Sequence, residues 1–132
     1  EIQLLAKAAE DKLQDNDGLT LVIAANYGGQ WDIANAAKKI ASKVAANELD
    51  PEQINTRSFH DHTSLAGLPP VDLLIRTSGE VRISNFLLWD IAYSELYFCD
   101  TLWPDFNEKE LDVAIESFSS RERRYGERRS EK

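Results

Sequence analysis

Two runs of apolar, β-prone residues frame what this chain can fold into. Residues 19–25 read LTLVIAA and residues 71–75 read VDLLI. Continuous runs of this kind suit strands buried on both faces of a parallel sheet. The first run breaks at Asn26-Tyr27-Gly28-Gly29 and the second at residues 77–83, and a helical pattern follows each break. Residues 31–46 carry Ile33, Ala37, Ile40 and Val44 as an inner stripe. Residues 85–94 are apolar nearly all round, which predicts a helix buried in the domain or in an interface, with Ser84 as its N-cap.

The flanking segments fit the same alternation. Ile2, Leu5, Ala9 and Leu13 place residues 1–14 on a helix, closed by a turn from Asp15 to Gly18. Pro51 opens a short helix through Phe59, and Pro69-Pro70 ends that irregular region. Residues 96–99 suit a short strand. Asn107 caps a final helix, with Glu110 as a capping-box partner and Leu111, Ala114, Ile115 and Phe118 facing inward. The predicted fold is α/β: a mostly parallel sheet flanked by helices, joined by right-handed crossovers. Ligands of such sheets sit at the carboxyl ends of the strands. Residues 26–30 and 76–84 are therefore expected on one functional edge.

Composition narrows the field. The chain has 132 residues, 42% of them apolar, enough for one domain with a real core. No run of about 18 apolar residues spans a membrane, and no signal peptide is visible. Cys99 stands alone, so it cannot form an internal disulfide, which fits a reducing cytoplasm. A net charge of −8 argues against a general nucleic-acid binder. The last twelve residues run the other way, with Arg121, Arg123, Arg124, Arg128, Arg129 and Lys132 against three glutamates. That tail reads either as a solvated end or as an attractor for an anion. The chain opens at Glu1 and contains no methionine, so upstream sequence is expected.

The segment from Arg76 to Asn85 carries the chemistry. It begins at a strand end and stops at a predicted helix N-terminus, where free N–H groups and partial positive charge favour phosphate. Arg76 and Arg82 add guanidinium forks, Thr77, Ser78 and Ser84 add hydroxyls, and Gly79 lets the backbone come close. Together they suit a diphosphate cradle. The same residues also fit a capped helix with two surface arginines. No G-x-x-x-x-G-K-[ST] or G-x-G-x-x-G loop is present.

From Arg76 to Phe106 the chain reads RTSGEVRISNFLLWDIAYSELYFCDTLWPDF. This resembles the C-terminal signature of the undecaprenyl diphosphate synthase family. Asn26-Tyr27-Gly28-Gly29 resembles another block of that family, and residues 121–126 resemble its R-x-G segment. The resemblance implies an undecaprenyl diphosphate synthase-like fold, incomplete at the N-terminus. Residues 1–126 are read as the C-terminal part of a single cis-prenyltransferase domain, and 127–132 as a flexible basic tail.

The activity implied is condensation of isopentenyl diphosphate with an allylic diphosphate (farnesyl diphosphate) in cis configuration. The implied product is undecaprenyl diphosphate, the lipid carrier for cell-wall synthesis. By the same resemblance Arg76, Arg82 and Ser84 hold isopentenyl diphosphate, and Glu95 serves magnesium. Arg124 and Gly126 would complete the site across a homodimer interface. A peripheral membrane contact for product release is a further implication. The family's upstream aspartate block has no match here, so no catalytic residue is assigned in this chain and the chain alone is expected to be inactive. A non-catalytic partner subunit of a heteromeric cis-prenyltransferase is the alternative. Gln30 stands where arginine is common, and Asp90 where glutamine is common. His60 and His62 flank Asp61 without a third ligand at metal spacing. Cys99 reads as packing, and Trp103 and Asp105 as turn residues close to the site.

Overall fold

The computed structural model describes residues 2–122. The elements run α1 (Ile2–Leu13), α2 (Gly29–Ala45), a 3-10 helix (Pro51–Gln53), α3 (Thr56–His60), β1 (Leu73–Arg76), β2 (Glu95–Phe98), a second 3-10 helix (Trp103–Asp105) and α4 (Glu108–Ser119). β1 and β2 are parallel, with Leu73 opposite Glu95 and Arg76 opposite Phe98. The core lies where Ala36 and Ile40 of α2, Leu74 of β1, Ile91 and Ala114 of α4 are buried. Phe59 of α3 packs on Trp89 with ring centroids 4.4 Å apart. Among the described residues no helix is long and apolar enough to cross a membrane.

Helix starts follow their local chemistry. Asn55 caps α3 with a full capping box, its Oδ1 accepting from Arg57 N and Ser58 N while Ser58 Oγ accepts from Asn55 N. Asn107 caps α4 by accepting from Lys109 N. The expected capping-box role of Glu110 does not occur. Its carboxylate instead accepts from Thr101 Oγ1 at 2.9 Å, tying α4 to the loop after β2. Along α4, Ala114 is fully buried and Phe118 half-buried, but Leu111 and Ile115 are exposed.

The helix expected from Pro51 through Phe59 is broken at Asn55 into the 3-10 helix and α3, and two predicted elements do not form at all. Residues 19–25 form no strand, and Leu19 is 94% and Ile23 80% exposed. A strand exists only through a ladder partner, and the strands among the described residues pair with each other. The apolar stripe of α1 is likewise exposed along its whole length.

The second failure is the helix expected over residues 85–94. Ser84, Asn85 and Leu87 have φ of 52°, 63° and 45°. Left-handed residues cannot continue a right-handed helix. The segment folds as successive turns, with Asp90 N and Ile91 N both donating to Leu87 O. Ser84 is therefore no N-cap. Burial is also uneven here: Ile91 is buried, Leu88 and Trp89 are half-buried, and Phe86 and Tyr93 are exposed.

Candidate functional site

The C-terminal end of β1 delivers Arg76 into a loop with two differently built halves. The first half is tied to the strand beside it. Arg76 O accepts from Cys99 N at 3.0 Å, Gly79 N donates to Cys99 O at 2.9 Å, and Ser78 N donates to Thr101 O at 2.9 Å. Ser78 and Gly79 both take positive φ, 71° and 69°. A side chain at Gly79 would be disfavoured by its positive φ and would bring a Cβ to 3.2 Å from Asp100 Oδ1. Cys99 acts here through its backbone, a role beyond the packing expected of it.

The second half turns outward. Glu80 forms an ion pair with Arg82, whose side chain is 64% exposed. Between the halves lies a cleft of about 320 Å³, lined by Arg76, Thr77, Ser78 and Glu80 together with apolar residues that include Leu74 and Phe86. That volume falls at the lower end of the range of small-molecule sites, about 300–1,000 Å³. Ser84 is exposed and carries its hydroxyl on a left-handed residue. The helix N-terminus expected to face the anion is not there. Donors in this cleft come from side chains, since the Ser78 and Gly79 N–H groups are already committed to Thr101 O and Cys99 O.

The loop ends against α2. Gly29 N donates to Asn85 O, and Gln30 N donates to Asn85 Oδ1, at 2.6 and 2.8 Å. A Cβ on Gly28 would lie 2.8 Å from Asn85 Nδ2, and one on Gly29 2.7 Å from the Leu88 side chain. Tyr27 and Phe86 meet edge to face. Residues 26–30 and 76–85 thus converge on one edge, as the sequence predicts. Gln30, noted in the sequence only as standing where arginine is common, joins the end of the loop through its main chain.

Glu95 lies at the opposite end of the sheet. It pairs with Leu73, three positions before Arg76, or about 10 Å at 3.3 Å per residue. Its carboxylate accepts from Arg121 Nη1 at 2.9 Å. Among the described residues no group of three His, Cys, Asp or Glu side chains could hold a metal ion. Glu95 alone does not make a magnesium site. Arg124, Gly126 and the segment 127–132 lie outside the described residues. The two histidines diverge, His60 Nδ1 toward Asp90 and His62 Nδ1 toward Ser58 O. Trp103 is exposed and stacks on Phe106.

Sequence reasoning missed three polar residues. Asn85 bridges the two blocks. Asp32 is buried and accepts from Tyr27 Oη, Ser64 N and Ser64 Oγ. Burial and the bond to Asp32 push the Tyr27 phenol well above its ordinary value. Asp90 is buried beside His60, and burial raises its carboxyl above the usual carboxylate range, with Asp32 adding to the shift and His60 opposing it. Its departure from the family's glutamine was the available signal.

Comparison with known proteins agrees with this architecture. The chain superposes on the lavandulyl diphosphate synthase of Lavandula x intermedia, solved in complex with dimethylallyl diphosphate, with a TM-score of 0.90 and 42% identity over 95% of this chain and 54% of that one. A probable undecaprenyl diphosphate synthase from Campylobacter jejuni gives a TM-score of 0.79 at 31% identity, covering 96% of this chain and 56% of the other. Residues 1–126 match the family described as putative undecaprenyl diphosphate synthase. The chain belongs to the undecaprenyl diphosphate synthase family. It is 58% identical over 125 residues to the ditrans,polycis-undecaprenyl-diphosphate synthase ((2E,6E)-farnesyl-diphosphate specific) of Haemophilus influenzae, covering 95% of this chain and 52% of that protein. The Escherichia coli K12 protein of the same name is 51% identical, with 95% and 49% covered. The chain spans about half the length of these relatives.

Proposed function

We propose that this chain supplies the isopentenyl diphosphate half of a cis-prenyltransferase site, in a protein that condenses that substrate with farnesyl diphosphate to make undecaprenyl diphosphate. The observation that carries the reading is the cleft at the end of β1, walled by Arg76 and hydroxyl side chains, with Arg82 outside its lining but paired to the lining residue Glu80. In the reaction an allylic diphosphate ionises, the alkene of the second substrate attacks the cation, and the adduct loses a proton. The cleft's part is to grip the diphosphate of the alkene donor, which is catalysis by positioning. Arg76 would bind from the fixed half of the loop. Arg82 would exchange Glu80 for a phosphate oxygen, a charge-assisted bond of a kind worth about 1.5–3 kcal/mol. Ser84 would add a hydroxyl donor.

Magnesium, Arg124, Gly126, a homodimer, a cytoplasmic location and a membrane contact at product release belong to the same proposal. Glu95 could contribute one carboxylate to a metal, and its other ligands would have to come from beyond the described residues. The chain by itself is proposed to be inactive. A chimera tests the reading: this chain replaces the matching half of the Haemophilus influenzae relative. The chimera should form long cis-polyprenyl product. Arg82→Ala in it should raise KM for isopentenyl diphosphate about 10- to 150-fold and leave KM for farnesyl diphosphate nearly unchanged. Equal losses for both substrates, or none for either, would remove the assignment.

A further inference from the structure

The cradle loop is anchored at two points of different kind. Its first half is held by three backbone bonds to residues 99 and 101. From Glu80 to Ser84 the backbone has one bond among the described residues, the local one from Phe86 N to Ile83 O. What fastens this half to the rest of the fold is Asn85. Its carbonyl accepts from Gly29 N and its Oδ1 accepts from Gln30 N. These are two of the four N–H groups that the first turn of α2 cannot satisfy internally. Gly28, the N-cap residue, has no side chain to do so. Asn85 therefore caps α2 from 55 residues away in sequence.

The local chemistry fits this task. Asn85 has φ +63°, a conformation that asparagine tolerates better than most residues. The two glycines let it approach, since a Cβ on Gly28 would collide with its Nδ2 and one on Gly29 with Leu88. The bridge thus takes up half of the free N–H groups at the N-terminus of α2.

We infer that Asn85 is a positioning residue for diphosphate binding: its cap on α2 fixes the half of the loop that carries Arg82 and Ser84. This rests on the reading of the cleft as a diphosphate site. An unanchored loop would have to be ordered at the moment of binding, and that ordering subtracts from affinity. The effect should equal roughly one lost hydrogen bond, or about 5-fold in Kd.

The test uses the 132-residue chain and inorganic diphosphate, followed by calorimetric titration. Asn85→Gly keeps the positive φ and the carbonyl bond but removes Oδ1. Asn85→Asp keeps an acceptor at Oδ1. The Gly variant should bind diphosphate about 5-fold more weakly, and the Asp variant should bind more tightly than Gly. Amide exchange at Gln30 should speed up in the Gly variant only. A Gly variant that binds like the parent while Gln30 exchange rises would overturn the positioning role. Equal weakening by Gly and Asp with unchanged Gln30 exchange would overturn it too. If the unmodified chain binds no diphosphate, the cleft reading itself fails and takes the inference with it. Thermal unfolding of each variant separates loss of fold from loss of anchoring.

Discussion

Asp32 and Asp90 are both buried carboxylates, and the fold treats them in opposite ways. Asp32 is 1% exposed and accepts from Ser64 N at 3.0 Å, Ser64 Oγ at 2.8 Å and Tyr27 Oη at 3.0 Å. It joins the start of α2 to the turn after α3 and to the tyrosine before Gly28. Asp90 has a side chain 2% exposed and no hydrogen bond to either oxygen among the described residues. Its nearest charge partner is His60 Nδ1 at 3.4 Å. The contrast teaches that burial does not set the value of a carboxylate. The donors around it do.

Asp32→Ala should be the most damaging change, because it leaves three donors without an acceptor. The expected loss is about 3 kcal/mol or more in chemical denaturation. A loss below about 1 kcal/mol would break the contrast, since that is the net worth of a single ordinary hydrogen bond.

Asp90→Asn should act in the other direction. It removes a charge that burial disfavours, and the expected gain at pH 7 is about 1 kcal/mol. The pH dependence has a definite sign. Burial raises the folded-state pKa of Asp90 above its unfolded value, Asp32 adds to this, and His60 opposes it. The folded state thus holds this proton more tightly than the unfolded state does. The associated stability is full below the usual carboxylate range and is lost as pH rises through the raised folded value. The advantage of Asp90→Asn should accordingly shrink as pH falls into that range. Melting temperatures of both proteins across pH 3–8 (roughly the span of carboxylate and His titration) check it. An advantage that grows on acidification would contradict the sign.

The sequence carried some of this fold and site and not the rest. Residues 71–75 and 96–99 become β1 and β2 with boundaries shifted by one or two residues, because their apolar runs find each other as partners. The similar run at 19–25 finds no partner strand among the described residues and stays exposed. Periodicity reports what a segment could bury, not whether a surface is present to bury it. Residues 85–94 failed for another reason. Their helical composition is overridden at Ser84, Asn85 and Leu87 by left-handed backbone, and Asn85 is committed to α2 by a contact 55 residues distant. No local pattern announces such a contact. The convergence of residues 26–30 with the Arg76 loop was expected from two strand ends, yet residues 19–25 form no strand, and what joins the two segments is Asn85 on Gly29 and Gln30. The distance of Glu95 from that loop follows from strand direction.

The central claim is that the loop from Arg76 to Ser84 binds the diphosphate of isopentenyl diphosphate, and equilibrium dialysis of this chain with the labelled compound tests it most directly. The parent chain should bind, excess inorganic diphosphate should compete, and Arg76→Ala or Arg82→Ala should each weaken binding by about 10- to 150-fold. Binding that neither arginine replacement changes, in variants that unfold at the parent's temperature, would contradict the account.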